Sequence, residues 1–199
     1  ASLTDAELER HGFVIEFSSS ISNLSTILDV GAGLNSCYFP ICKTKKNAEK
    51  VLICDAVELT GVYDYAKTFY SNQSRLNYYD DFPSKKNYDL IYFGSSIHYF
   101  FDLDMILKQI CHYLARNIIF SYSPIALKSD SFFSAPIKNE KILFPNIIHN
   151  LSTIKQKAKQ YGYQLTYAER SSTKQLQPYE WMFPRDVYCY DIVLEKISS

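Results

Sequence analysis

Short apolar runs alternate along this chain with stretches whose apolar residues recur every three or four positions, the signatures of buried strands and amphipathic helices. The first sharp run, Thr26-Ile27-Leu28-Asp29-Val30, stops at glycines. Ahead of it, Thr4-Asp5-Ala6-Glu7 has capping-box spacing, so the segment 1–25 is expected to hold a short packing helix. A second strand, Lys50 to Cys54, ends at Asp55, and a helix through Val62, Tyr65, Ala66 and Phe69 follows. A third strand is expected over Arg75 to Tyr79 and a fourth over Tyr88 to Phe93, which stops at Gly94-Ser95-Ser96. Asp102 is placed to cap a helix that shows Leu103, Ile106, Leu107, Ile110 and Leu114 on one face, and Asn117 to Ser121 reads as a fifth strand.

From Pro124 to Pro145 the periodicity is lost, with Ser, Lys and Pro interleaved among Phe132, Phe133 and Phe144. Long irregular segments in compact domains are functional or disordered, and the insertion near 124–145 is expected to form a lid over a substrate. A helix carrying Ile147, Leu151, Ile154, Ala158 and Tyr161 then ends at Gly162, and strands over Tyr163 to Tyr167 and Val187 to Glu195 close the chain. Strands alternating with helices imply an α/β fold of the Rossmann-like, doubly wound kind, mainly parallel, in a single domain over 1–199. Ending on two strands joined by a turn-rich connection departs from an ordinary dinucleotide-binding domain.

At 199 residues and 47% hydrophobic content the chain can bury one substantial core and has little room for a second. Its 21 basic and 21 acidic residues balance, and the longest basic stretch is Lys43-Thr44-Lys45-Lys46. That is no footprint for nucleic acid, so a small or neutral substrate is expected. The five cysteines, Cys37, Cys42, Cys54, Cys111 and Cys189, form no CxxC pair. They read as reduced packing residues of a cytoplasmic protein with no metal site. No stretch approaches the ~20 apolar residues of a membrane helix, so no membrane insertion is expected. The 17 Tyr and 13 Phe fit either a compositional bias or an aromatic-lined cleft.

The central chemical signal is Asp29-Val30-Gly31-Ala32-Gly33. Glycines at the carboxyl end of a buried strand let the backbone turn and approach a ligand that a Cβ would block. Nicotinamide enzymes prefer G-x-G-x-x-G, but Ser36 holds the third glycine position here. Asp55 falls about 20 residues beyond the loop, where a carboxylate accepts the ribose hydroxyls of an adenosine. Glu58 is the alternative acid if the strand runs further, and Ala56 lies between them. Asp80, after the third strand, is either an adenine-side contact or part of an ordinary turn before Pro83. Gly94, Ser95 and His98 follow the fourth strand. His98 is the candidate general base, with capping or packing as the alternative. His11, His112 and His149 are given no chemical role.

These pieces resemble the S-adenosylmethionine (SAM)-dependent methyltransferases, and within them a family of bacterial methyltransferases linked to surface-polysaccharide gene clusters. The resemblance rests on Ile27 to Phe39, Leu52 to Asp55 and Gly94 to Tyr99, with Tyr161-Gly162-Tyr163 as a weaker match, and spans roughly positions 27 to 167. It implies an antiparallel C-terminal strand, SAM as cofactor, held by Asp29, Gly31, Ala32 and Gly33 with the ribose on Asp55, and a methyl-transfer site bordered by Ser95 to His98. The implied acceptor is a small molecule or sugar, through a hydroxyl. Asn35 stands where many such enzymes have a third glycine, and Pro40 should shorten or kink the helix after the loop. Two rival readings share these features: a nicotinamide-dependent sugar oxidoreductase, and a non-catalytic SAM-fold protein that binds a partner.

Overall fold

The protein is seen in a computed structural model that describes residues 4–46, 48–84, 87–135, 137–138, 141–142, 145–171 and 186–197. Helix α1 (Asp5–Ser20) precedes β1 (Thr26–Val30). Short helices α2 (Tyr38–Thr44) and α3 (Ala48–Val51) lead to β2 (Ile53–Val57), α4 (Thr60–Phe69) and β3 (Leu76–Tyr79). Strand β4 (Leu90–Gly94) runs into a 3-10 turn, Ile97–Tyr99, followed by α5 (Leu103–Cys111) and β5 (Asn117–Ala126). Then come β6 (Phe132–Ser134), β7 (Ile137–Lys138), β8 (Lys141–Ile142), β9 (Asn146–Asn150), α6 (Leu151–Gln160), β10 (Tyr163–Arg170) and β11 (Val187–Lys196).

The main sheet has the order β10-β11-β5-β4-β1-β2-β3. Strands β1 to β5 pair in parallel, and β11 lies antiparallel between β5 and β10. This is the mainly parallel Rossmann-like sheet that the pattern implies, with the antiparallel C-terminal strand that the resemblance implies. Both faces are covered because successive side chains of a strand point to opposite sides. Leu90 and Tyr92 pack with Val14, Ile41 and Ala66 from α1, α2 and α4, while Ile91 and Phe93 pack with Leu107, Ile110 and Ile154 from α5 and α6. The Asp102 carboxylate accepts the Met105 N–H at 3.0 Å, capping α5 as its sequence position predicts.

Two expectations need correction. The segment 124–145 is not without regular structure. Strand β5 continues to Ala126 because β11 pairs with it from Tyr190↔Ser123 to Val187↔Ala126, and β6 pairs with β9, which also pairs with β5. Part of that insertion, 136, 139–140 and 143–144, lies outside the described residues. The helix placed from Ile147 begins instead at Leu151, and Ile147 belongs to β9 opposite Phe133. Ile147 and Leu151 have helical spacing, but the Asn150 side chain accepts the N–H groups of Ser152 and Thr153 at 2.8 and 3.2 Å and fixes the start.

Candidate functional site

At the carboxyl end of β1 the chain turns through Gly31 and Gly33, both in the left-handed region with φ of 71° and 62°. The Gly31 N–H donates to the Val57 carbonyl at 2.9 Å, tying the turn to the end of β2. A Cβ on Gly31 would lie 2.5 Å from the Cβ of Ser96, so the fold itself demands glycine there. Around Gly33 the nearest atom to a Cβ position is Nη1 of Arg10 at 3.4 Å, which leaves this glycine as the open side of the turn. Ala32 is buried beneath it.

Asp29 is fully buried and shapes the turn from below. Its Oδ2 accepts the Ser36 hydroxyl at 2.7 Å and the Cys37 N–H at 2.9 Å, closing the loop onto the start of α2. Oδ1 is buried with no hydrogen-bond partner among the described residues. From outside, the hydroxyls of Tyr78 and Tyr70 donate to the carbonyls of Gly33 and Leu34 at 3.0 and 2.6 Å. Pro40 is the third residue of α2, within the first turn where its missing N–H costs nothing, and the helix is only 7 residues long.

The acid expected at the ribose position is not at the surface. Asp55 is 2% exposed in the middle of β2, its two carboxylate oxygens accepting from Asn77 Nδ2 at 2.8 Å and the Tyr88 hydroxyl at 2.7 Å. Burial, then this bond to Asp55, pushes the Tyr88 phenol far up, so it stays a donor. Ala56 is likewise buried. Strand β2 runs through Val57, and the residue that emerges from it is Glu58. Glu58 is partly exposed, and its carboxylate accepts the Gly33 N–H at 2.7 Å and the Leu59 N–H at 2.9 Å. Asp80 is exposed just past β3.

Helix α1 contributes two residues for which its sequence gave only a packing role. Arg10 donates from Nη2 to the Gly31 carbonyl at 2.8 Å and from Nε to the Gly94 carbonyl at 3.2 Å, bridging the ends of β1 and β4. His11 is fully buried, with Nδ1 3.0 Å from the Tyr92 hydroxyl and Nε2 2.9 Å from the Asn35 carbonyl. The only sequence signal for this pair was two polar residues beside the buried Val14 and Ser18 of the same helix.

After β4, Gly94 is buried against Tyr92, whose hydroxyl would meet a Cβ at 2.6 Å. Ser95 is left-handed, with φ of 55°, although it has a side chain, and its N–H donates to the Ser121 carbonyl at 2.8 Å. His98 is 2% exposed, and burial, followed by nearby His149, pushes its imidazole down to about 4. Its neighbour Tyr99 is 50% exposed, and burial first, with the Arg10 charge opposing and the Glu58 charge adding, pushes its phenol up. The structure thus brings Gly31, Gly33, Glu58, Arg10, Gly94, Ser95 and Tyr99 together and sets Asp55, Ala56 and His98 in the interior.

Asp29, Cys37 and Cys54 form a fully buried group with ligand atoms within 4.8 Å of one another. Burial first, then the Cys54 thiol and the Asp29 charge, push the Cys37 thiol well up, so it remains protonated and packs as a weak hydrogen-bonding group.

No protein-family model and no curated protein sequence matches the chain. Its backbone does match solved structures. A SAM-dependent methyltransferase from Methanosarcina mazei superposes with a TM-score of 0.65 at 11% identity, covering 92% of this chain and 98% of that one. A SAM-dependent methyltransferase from Clostridium acetobutylicum gives 0.60 at 14% identity, covering 96% and 92%. The glycopeptide N-methyltransferase MtfA in complex with SAM gives 0.61 at 11% identity, covering 96% and 95%. At these identities the likeness establishes the architecture: the chain has the fold of SAM-dependent methyltransferases.

Proposed function

We propose that the protein is an enzyme that binds SAM at the carboxyl ends of β1, β2 and β4 and transfers its methyl group to a small-molecule acceptor. The observation that carries this reading is the pair of opposite charges flanking the open glycine. Glu58 holds the Gly33 N–H at 2.7 Å, and Arg10 Nη1 lies 3.4 Å from the Gly33 Cβ position. SAM presents a ribose diol, a carboxylate and an ammonium group. Glu58 is the acceptor for the diol, Arg10 the donor to the carboxylate, and the buried Oδ1 of Asp29 leaves an acceptor beneath the turn for the ammonium group or a water. Asp80 stands where β3 ends, on the adenine side.

The same pair disfavours a dinucleotide. A pyrophosphate needs the free N–H groups of such a loop and the start of a following helix. Here the Gly33 N–H faces a carboxylate and the helix has 7 residues. The non-catalytic reading is disfavoured by backbone strain, since Ser95, just past the end of β4, and Tyr122, within the adjoining β5, are non-glycine residues in the left-handed region at φ of 55° and 49°.

Bound SAM supplies a methyl group already activated by its sulfonium charge. The chain then has to align the acceptor, an effect worth up to ~7–11 kcal/mol, while a base adds a smaller factor. His98, enclosed and made less basic by burial, is assigned in this reading to the scaffold of the site rather than to proton transfer. A sugar acceptor of surface-polysaccharide synthesis is the class the sequence resemblance supports, and the five free cysteines suit a reducing, cytoplasmic setting.

Calorimetric titration with S-adenosylhomocysteine (SAH) and with NADH tests the reading. SAH is expected to bind and Glu58→Gln to weaken it about tenfold or more. Binding of NADH without SAH overturns it.

A further inference from the structure

Between α1 and the strands β5, β10 and β11 a groove of about 730 Å³ opens, and α1 is the one helix in its described lining. One wall is the flank of α1 that presents Gly12, Phe13, Glu16 and Phe17, and the floor is made by Ser121, Tyr167, Glu169 and Asp191. The volume is that of a small-molecule site.

The strand registers tie the groove to the cofactor end. Gly94 pairs with Ser121, the Ser121 hydroxyl donates to Asp191 Oδ1 at 2.7 Å, and Asp191 pairs with Glu169. These four residues form one row across β4, β5, β11 and β10. With strands ~4.8 Å apart, Asp191 lies about 10 Å from Gly94. The other flank of the same helix turn sends Arg10 to the Gly31 and Gly94 carbonyls.

Three carboxylates, Glu16, Glu169 and Asp191, line the groove together with Tyr167. Glu169 accepts its hydroxyl at 3.2 Å, and the charges of Asp191 and Glu16 add to burial in pushing it up. Asp191 is only 5% exposed, yet it lines the groove. Among the described residues none of the three acids is ion-paired. The one cation in the described lining, Arg170, lies 3.4 Å above the Tyr188 ring. Phe13 stacks on Tyr167 with centroids 5.1 Å apart, adding an apolar platform beside the acids.

We propose that this groove is the acceptor site and that it takes an acceptor bearing a protonated amine next to a ring, such as an amino sugar or an aromatic amine. The ammonium group lies among Glu16, Asp191 and Glu169, the ring packs against Phe13 and Tyr167, and the methylated atom lies about two strand spacings away, toward Gly94 and Ser95. The acceptor role rests on the methyl-transfer reading above; the amine preference of the groove does not.

Three probes with a common ring separate the two: tyramine, the neutral para-ethylphenol and the anionic para-hydroxyphenylacetate, each titrated into the full chain with and without SAH. Tyramine is expected to bind at least about tenfold more tightly than the neutral ring, with the anion weakest. Replacing both acids, Glu16→Gln with Glu169→Gln, is expected to erase that order while SAH affinity stays unchanged. Equal affinities, a preference for the anion, a charge order that survives in the double variant, or no binding by any probe overturns the groove proposal. Failure of SAH to bind while the charge order persists overturns the methyl-transfer reading and leaves an amine site.

Discussion

The glycine turn and the groove beside it are built from different materials. At the turn almost every polar contact ends on backbone: Val57, Gly31, Gly33, Leu34, Asn35 and Gly94 all supply main-chain groups. In the groove the recognition groups are side chains brought in by α1, β5, β10 and β11. A turn held by backbone contacts is rigid and fails through folding when its glycines are altered, whereas side chains that line a groove can be changed at little cost to the fold. Under the proposed reading, in which the turn takes SAM and the groove an acceptor, this division of materials would match a division of labour between a constant cofactor and a variable acceptor.

The largest effect expected from this contrast is at Gly31. Gly31→Val places a Cβ 2.5 Å from Ser96 Cβ at a φ of 71°, so strain and overpacking combine to destabilise the fold by about 2–5 kcal/mol. Denaturant unfolding reads this directly, and the double substitution in the groove should move the same midpoint by under ~0.5 kcal/mol. Equal losses at the two places would erase the contrast.

Next comes acid lability from His98. Its folded value of about 4 lies below the ordinary 6.5, so the unfolded chain binds the proton more readily. Stability is therefore complete above pH 6.5 and is lost as pH falls toward about 4, by about 3 kcal/mol. Burial lowers His149 as well, which adds in the same direction. His98→Gln should flatten the stability profile across that window. A methyl-transfer rate that rises through a group near 6.5 and loses this dependence in the variant would return His98 to the role of base.

Asp55 and Glu58 make a third, crossed test. Asp55→Ala leaves the buried Asn77 and Tyr88 donors without their acceptor and should cost about 1–3 kcal/mol of stability, with SAH affinity of the folded protein kept. Glu58→Gln should do the reverse, sparing the unfolding midpoint and weakening SAH. Loss of affinity in the Asp55 variant and not in the Glu58 variant would put the ribose contact back on Asp55.

These two acids also show how far the chain could be read unaided. The succession of strands and helices and the glycine turn follow from short apolar runs and from glycine placement, both of which are local, while the antiparallel last strand comes from the family resemblance. Choosing between Asp55 and Glu58 needed the end of β2 to within three residues, and strand ends are set by pairing: Val57 is drawn in by Val30 and Tyr79. The same holds for β5, lengthened by β11 from far along the chain. Arg10 and the groove acids were invisible for a stronger reason. Their meaning lies in contacts between positions such as Arg10 and Gly94, 84 residues apart, which no spacing records.

Arg10 provides the smallest and most discriminating effect, because α1 presents one flank to the turn and the other to the groove. Its guanidinium is already oriented by two carbonyls, and Nη1 is the edge beside the open glycine. If it receives the cofactor's carboxylate, Arg10→Ala should weaken SAH by about tenfold, or ~1.4 kcal/mol. Methylthioadenosine, which keeps the nucleoside and sulfur and lacks the carboxylate, should bind wild type and variant alike. Arg10→Lys should restore little, since a single ammonium cannot bridge two carbonyls and still face the ligand. An equal loss for both ligands would mean that Arg10 acts only by holding β1 to β4, and the charge pair around Gly33 would no longer distinguish SAM from other nucleosides.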